Sequence, residues 1–155
     1  ALRAMSATRI VVLDPNPEAL ALTAEMGADE MVLANGSHVA KVLEMTDGNG
    51  AEVVLDFVGE QGAETEAWAM TRRAGSDFVI GYGGTIEIPA IDVISTERNV
   101  IGNLVGSYND LVELMALNAA GKVSMHTRSY ELGAVNEAMD DLEAGRVRGR
   151  AILVP

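Results

Sequence analysis

Short runs of β-branched and aliphatic residues alternate along this chain with segments whose apolar positions recur every three or four residues. The strand-like runs are residues 9–13, Glu30–Leu33, residues 52–57, 77–80 and 99–105. Between them, residues 18–26 place Leu20, Ala21, Ala24 and Met26 at helical spacing and end at Gly27. His38–Met45 carries Val39, Val42 and Leu43 on one face and stops in the turn-rich Asp47-Gly48-Asn49-Gly50. Residues 62–73 read as a third helix with Trp68 on its buried side, and residues 109–118 and 132–144 as two more, ended by Gly121 and Gly145. The tail enters a final strand after Gly149. This alternation predicts an α/β fold with a mostly parallel sheet. The start reads differently: Leu2 and Met5 sit at i, i+3 spacing with no cap before them, as in a fragment that begins inside a helix.

Composition narrows the classes. The 155 residues suffice for one domain, and no apolar run approaches the ~20 residues of a membrane span. The net charge of −12 argues against a general nucleic-acid binder, which shows a basic face. With no cysteine there is neither a disulfide nor a thiolate metal site within the chain, and a cytoplasmic location fits. His38 and His126 are isolated, without a second ligand at metal spacing, and are expected to be surface or packing residues. Met26, Met45, Met70, Met115 and Met139 read as core filler.

The run Arg9-Ile10-Val11-Val12-Leu13-Asp14 is the most informative segment. It ends on one acid, and Pro15 and Pro17 then prevent the strand from continuing. An acid at the carboxyl tip of a buried strand is the position that accepts hydrogen bonds from the ribose hydroxyls of a dinucleotide in doubly wound sheets. The other reading is an Asp that merely starts a turn. The glycine-rich phosphate turn belongs about 20 residues upstream, and only thirteen residues precede Asp14.

Together with Glu25-Met26-Gly27-Ala28-Asp29, Asp56-Phe57-Val58-Gly59, Ile80-Gly81-Tyr82-Gly83, Ile101-Gly102-Asn103-Leu104-Val105-Gly106 and Gly149-Arg150-Ala151-Ile152-Leu153-Val154, this run resembles the C-terminal half of the medium-chain, zinc-dependent alcohol dehydrogenases. The likeness is to the bacterial NAD-dependent secondary-alcohol enzymes in particular. It implies a Rossmann-type doubly wound sheet in the order 3-2-1-4-5-6, incomplete here because the first strand and its glycine turn are absent. Residues 1–150 would be a partial dinucleotide-binding domain, and residues 151–155 a strand returning to a missing N-terminal catalytic segment. The lost strand belongs between residues 9–13 and 52–57, so those two runs should not pair with each other.

The resemblance also implies roles. NAD would be the cofactor, with Asp14 on its ribose and selecting against a 2′-phosphate. Pro15 and Val58 would flank adenine, Gly81, Tyr82, Asn103, Leu104 and Val105 would frame the nicotinamide, and Arg150 would reach the pyrophosphate. On the residues alone, ordinary loop packing for Pro15 and Val58, a strand-ending glycine for Gly81, and a solvated cluster with Arg146 and Arg148 for Arg150 remain open. Asp56 has a buried strand context and is expected to hold hydrogen bonds rather than carry catalysis. The family's zinc ligands, usually two cysteines and a histidine, have no counterparts, so no catalytic or metal residue is assigned and the chain alone is expected to be inactive. The intact enzyme would exchange hydride between NAD and a small alcohol or its ketone or aldehyde, without nucleic-acid or membrane partners. Residues 99–106 would join copies into a homodimer or homotetramer. A stand-alone nucleotide-sensing module and an S-adenosylmethionine-dependent methyltransferase, whose sheet also places an acid on ribose, are the competing readings.

Overall fold

The computed structural model describes residues 1–155, which form two units, one of Val11–Tyr108 and one of Ala1–Ile10 with Asn109–Pro155. In the larger unit, β1 (Val11–Asp14) ends where Pro15 removes a donor. Asn16 then caps α2 (Pro17–Glu25), its Oδ1 accepting the Glu18 N–H at 2.8 Å with Pro17 opening the helix. The chain returns as β2 (Glu30–Leu33), parallel to β1 with Val11 opposite Glu30 and Asp14 opposite Leu33.

His38 opens α3 (His38–Met45) and is buried. Its Nδ1 accepts the Gly36 N–H at 3.3 Å, and its Nε2 lies 2.9 Å from Glu66 Oε2 on α4 (Ala63–Met70). His38 is thus a packing residue that ties two helices together. The second sheet holds β3 (Ala51–Asp56), β4 (Thr71–Val79) and β5 (Asn99–Gly102), all parallel with β4 central.

Several predicted boundaries move, and one helix is new. The helix expected over residues 62–73 stops at Met70, because fully buried Thr71 pairs with Ala51 while its Oγ1 donates to Ala67 C=O at 2.8 Å. The strand expected through Val105 stops at Gly102, and Val105 then takes φ +50, a left-handed conformation that a β-branched residue adopts only at a cost. A helix absent from the sequence reading, α5 (Ala90–Thr96), precedes β5. β1 bonds only β2, and β3 bonds only β4, so the runs around residues 9–13 and 52–57 are indeed not paired with each other. Each leaves one ladder edge without a strand, and on β3 Val53 and Leu55 are exposed.

Asp77 on β4 is 1 % exposed and its Oδ1 has no hydrogen-bond partner. Burial first, and the Asp56 charge second, push its carboxyl up to about 6. The native state therefore holds this proton more tightly than the unfolded chain, so stability falls as pH rises from about 4 through 6 and the penalty is complete above that. Asp77→Asn should remove a penalty on the order of 2–3 kcal/mol at pH 7.5 and leave stability near pH 4 unchanged. Urea unfolding at both pH values checks this; equal stabilities of the two proteins at pH 7.5 would refute it.

The smaller unit contains α1 (Leu2–Met5), α6 (Tyr108–Ala119, whose first residue belongs to the larger unit), β6 (Thr127–Glu131), α7 (Val135–Glu143) and β7 (Arg150–Val154). The sequence reading missed β6, whose only buried side chain is Tyr130. It pairs in parallel with β7, Thr127 opposite Arg150. Beneath this pair Asp141 accepts the Tyr130 hydroxyl at 2.9 Å and lies 2.7 Å from Arg146 and 2.8 Å from Arg128. The hydrogen bonds from Arg146 and Tyr130 hold the Asp141 carboxyl below its usual value.

The predicted apolar stripes of α6 and α7 exist but are not covered by this chain: Leu111, Met115, Met139 and Leu142 are all about half exposed. The expectation that the methionines fill a core is corrected accordingly. Only Met70 is buried, while Met26, Met115 and Met139 are exposed. No helix is long and apolar enough to cross a membrane.

Candidate functional site

In the larger unit the carboxyl ends of the parallel strands carry nearly all of the residues singled out above. Asp14 ends β1, half-buried, and its Oδ1 accepts the Asn16 N–H at 2.7 Å. That bond turns the chain into α2 and engages one carboxylate oxygen. The other oxygen has no hydrogen bond within the chain, so the turn and a ligand would not compete for the same atom. Pro15 follows, exposed.

At the tip of β3, buried Asp56 organises the next turn. Its Oδ1 accepts the N–H groups of both Val58 and Gly59 at 2.9 Å, which confirms a hydrogen-bonding role. Val58 is left 55 % exposed. The β4 tip runs into Gly81 and Tyr82, where the Asp56 carbonyl accepts the Ile80 N–H at 2.8 Å and the Gly81 N–H at 2.9 Å. The Gly59 carbonyl accepts from Gly84 at 2.7 Å. Space between the two turns is minimal: a Cβ on Gly81 would fall 2.3 Å from the Val58 carbonyl carbon, and one on Gly59 would fall 2.2 Å from Gly81. Both positions therefore require glycine, which a strand-ending role alone does not explain.

After β5, the Asn103 N–H donates to the Val79 carbonyl at 2.9 Å, and the Asn103 Nδ2 donates to Ile101 C=O. Leu104 and Val105 stand 92 % and 99 % exposed, and Tyr82 on the neighbouring turn is 92 % exposed. Large apolar side chains this bare on adjacent strand tips mark a surface suited to a flat, partly apolar ligand. Arg150 belongs to the other unit, where it opens β7, exposed, with its N–H donating to the His126 carbonyl at 2.9 Å. Sequence reasoning passed over Asp77, whose only signal was an acid inside a strand-like run.

No group of three His, Cys, Asp or Glu side chains is arranged to hold a metal ion.

The pattern described as zinc-binding dehydrogenase matches residues 1–120. The NAD-dependent alcohol dehydrogenase of Sulfurisphaera tokodaii is 31 % identical over 99 % of this chain and 45 % of its own length. The D-arabinose 1-dehydrogenase (NADP(+)) of Saccharolobus solfataricus is 27 % identical over 84 % of the chain and 38 % of its own. Among solved structures, the alcohol dehydrogenase of the hyperthermophilic archaeon Aeropyrum pernix superposes with a TM-score of 0.92 at 38 % identity, over 99 % of this chain and 44 % of that one. The chain thus spans less than half the length of these relatives. On the match over residues 1–120 and the likeness over nearly its whole length, this chain belongs to the zinc-binding dehydrogenase family.

Proposed function

We propose that Val11–Tyr108 binds NAD(H) across its strand tips and serves a dehydrogenase that moves hydride between the cofactor and a small alcohol or the corresponding carbonyl compound. The observation that carries this reading is Asp14: a carboxylate at a strand tip with one oxygen committed to the Asn16 turn and the other uncommitted. The residues fit the cofactor. Asp14 can accept from ribose hydroxyls. Pro15 and exposed Val58 offer apolar faces for adenine, and Gly81 and Tyr82 with Asn103, Leu104 and Val105 offer backbone groups and apolar cover for the nicotinamide. When bound, NAD supplies the hydride-accepting ring. The chain's own residues bind it, orient it and exclude water from one side.

Zinc does not fit the residues present, since neither cysteines nor a three-residue ligand group is available. Titrating the chain with NADH and NADPH, followed by nicotinamide fluorescence, tests the proposal. Saturable NADH binding, tighter than NADPH binding, is expected; no saturable binding of either nucleotide would overturn it.

The same reading makes residues 99–106 the seam between copies. β5 is the outer strand of its sheet, with one ladder edge unpaired and Val100 and Ile101 exposed at 39 % and 36 %. Light scattering should show a dimer or tetramer, and Val100→Lys should shift it to the monomer. A monomeric unmodified chain would contradict this seam.

A further inference from the structure

We infer that Asp56 is a positioning residue that locks the Val58 turn to the Gly81–Tyr82 turn, so that the seats proposed for adenine and nicotinamide keep a fixed separation. The inference rests on the NAD(H) reading for what occupies those seats, and on the structure for the lock itself. Asp56 is 6 % exposed and uses both of its parts. Its side-chain Oδ1 holds the Val58 and Gly59 N–H groups, both at 2.9 Å. Its carbonyl holds the Ile80 and Gly81 N–H groups at 2.8 and 2.9 Å. One residue therefore accepts four hydrogen bonds, two from each turn.

The turns also touch directly. Gly84 donates to the Gly59 carbonyl at 2.7 Å, and neither Gly59 nor Gly81 has room for a Cβ against the other's turn. A shift of the Val58 turn must then displace the Gly81 turn as well. A bound dinucleotide spans both, and a misplacement of ~1 Å at a positioned group can cost up to ~100-fold. The side chain is the part of this lock that mutation can remove, because the carbonyl bonds belong to the backbone.

The experiment uses the full chain and three variants, Asp56→Ala, Asp56→Ser and Asp56→Asn, with NADH and ADP-ribose as probes and amide hydrogen exchange as the structural readout. Asp56→Ala should weaken both probes by about tenfold or more. It should also speed exchange at Ile80 and Gly81, whose N–H groups the Asp56 carbonyl accepts, while Val12 and Val32, in the other sheet, stay protected. Asp56→Asn keeps an Oδ1 acceptor and should stay within about twofold of the unmodified chain. Asp56→Ser reaches less far and should fall between the two; it carries the test if the alanine variant does not fold. A side chain that merely adds stability would raise exchange in both sheets and would not be rescued by asparagine. Probe affinities unchanged in both the alanine and serine variants, or an asparagine variant as weak as alanine, would overturn the lock. If the unmodified chain binds neither probe, the NAD(H) reading fails, and the exchange at Ile80 and Gly81 alone decides the lock.

Discussion

Gly59→Ala should destabilise the larger unit by about 3–4 kcal/mol, whereas Gly62→Ala three residues later should cost only about 1 kcal/mol. Both glycines have positive φ, +62° and +95°, so an alanine at either site bears the left-handed penalty of roughly 1–2 kcal/mol. The sites differ in what a methyl group meets. At Gly62 there is nothing within 4 Å. At Gly59 the nearest atoms are the Gly81 carbonyl carbon and oxygen at 2.2 Å and the Tyr82 nitrogen at 2.6 Å. These are backbone atoms of a turn whose Ile80 and Gly81 N–H groups the Asp56 carbonyl accepts, so no side chain can rotate away and the two turns must part. Overpacking of this kind typically adds 1–3 kcal/mol. Urea unfolding of the two variants separates the effects, since backbone strain is common to both and the clash is not. Equal losses would show that the turns yield freely and that the contact between them is not rigid.

The part of this fold visible in sequence is the part that depends on local rules. β1 is legible because four aliphatic residues precede an acid and two prolines, and α2 because Asn16 and Pro17 make a cap and a first turn. Glu30–Leu33 and His38–Met45 have the predicted ends. α5 and β6 were missed for a physical reason. α5 buries no residue and β6 only Tyr130, so neither shows a clean alternation. The methionines fail similarly: a Met at helical spacing marks an apolar face, and whether another layer covers that face is a tertiary fact.

The candidate site divides along the same line. The place of Asp14 at a strand tip could be read from its neighbours, because the acid and two prolines mark where the strand ends. The close approach of Gly59 to Gly81 could not, because it joins backbones 22 positions apart. The family resemblance pointed to Gly81 as part of the frame around a nicotinamide; the structure adds that its missing Cβ already serves contact with the Val58 turn. The burial of Asp77 was equally hidden, since polar residues inside strands normally face water.

Asp14→Ala should weaken NADH binding by at least about 100-fold and NADPH binding far less, so that the preference between them collapses. Two ribose hydroxyls donating to one carboxylate give charge-assisted bonds of ~1.5–3 kcal/mol each, and a factor of ten corresponds to about 1.4 kcal/mol. NADPH lacks one of those donors and places a phosphate beside the carboxylate, so it gains little from Asp14 and is repelled by it. The surroundings reinforce this. Val11–Tyr108 holds sixteen acidic residues against four basic ones, while the rest of the chain balances seven against seven, so the whole net charge of −12 lies in the unit that would receive the phosphate. That broader field is screened over about 10 Å at 0.1 M salt, whereas direct bonds to Asp14 are not. Raising the salt should therefore narrow the NADH/NADPH gap only partly in the unmodified chain, and Asp14→Asn should close most of what remains. A residual weakening of the Asn variant is expected as well, since Asn16 would lose its charged acceptor and the β1–α2 turn would loosen. The outcome that sinks the assignment is an Asp14→Ala chain whose NADH and NADPH constants keep their original ratio.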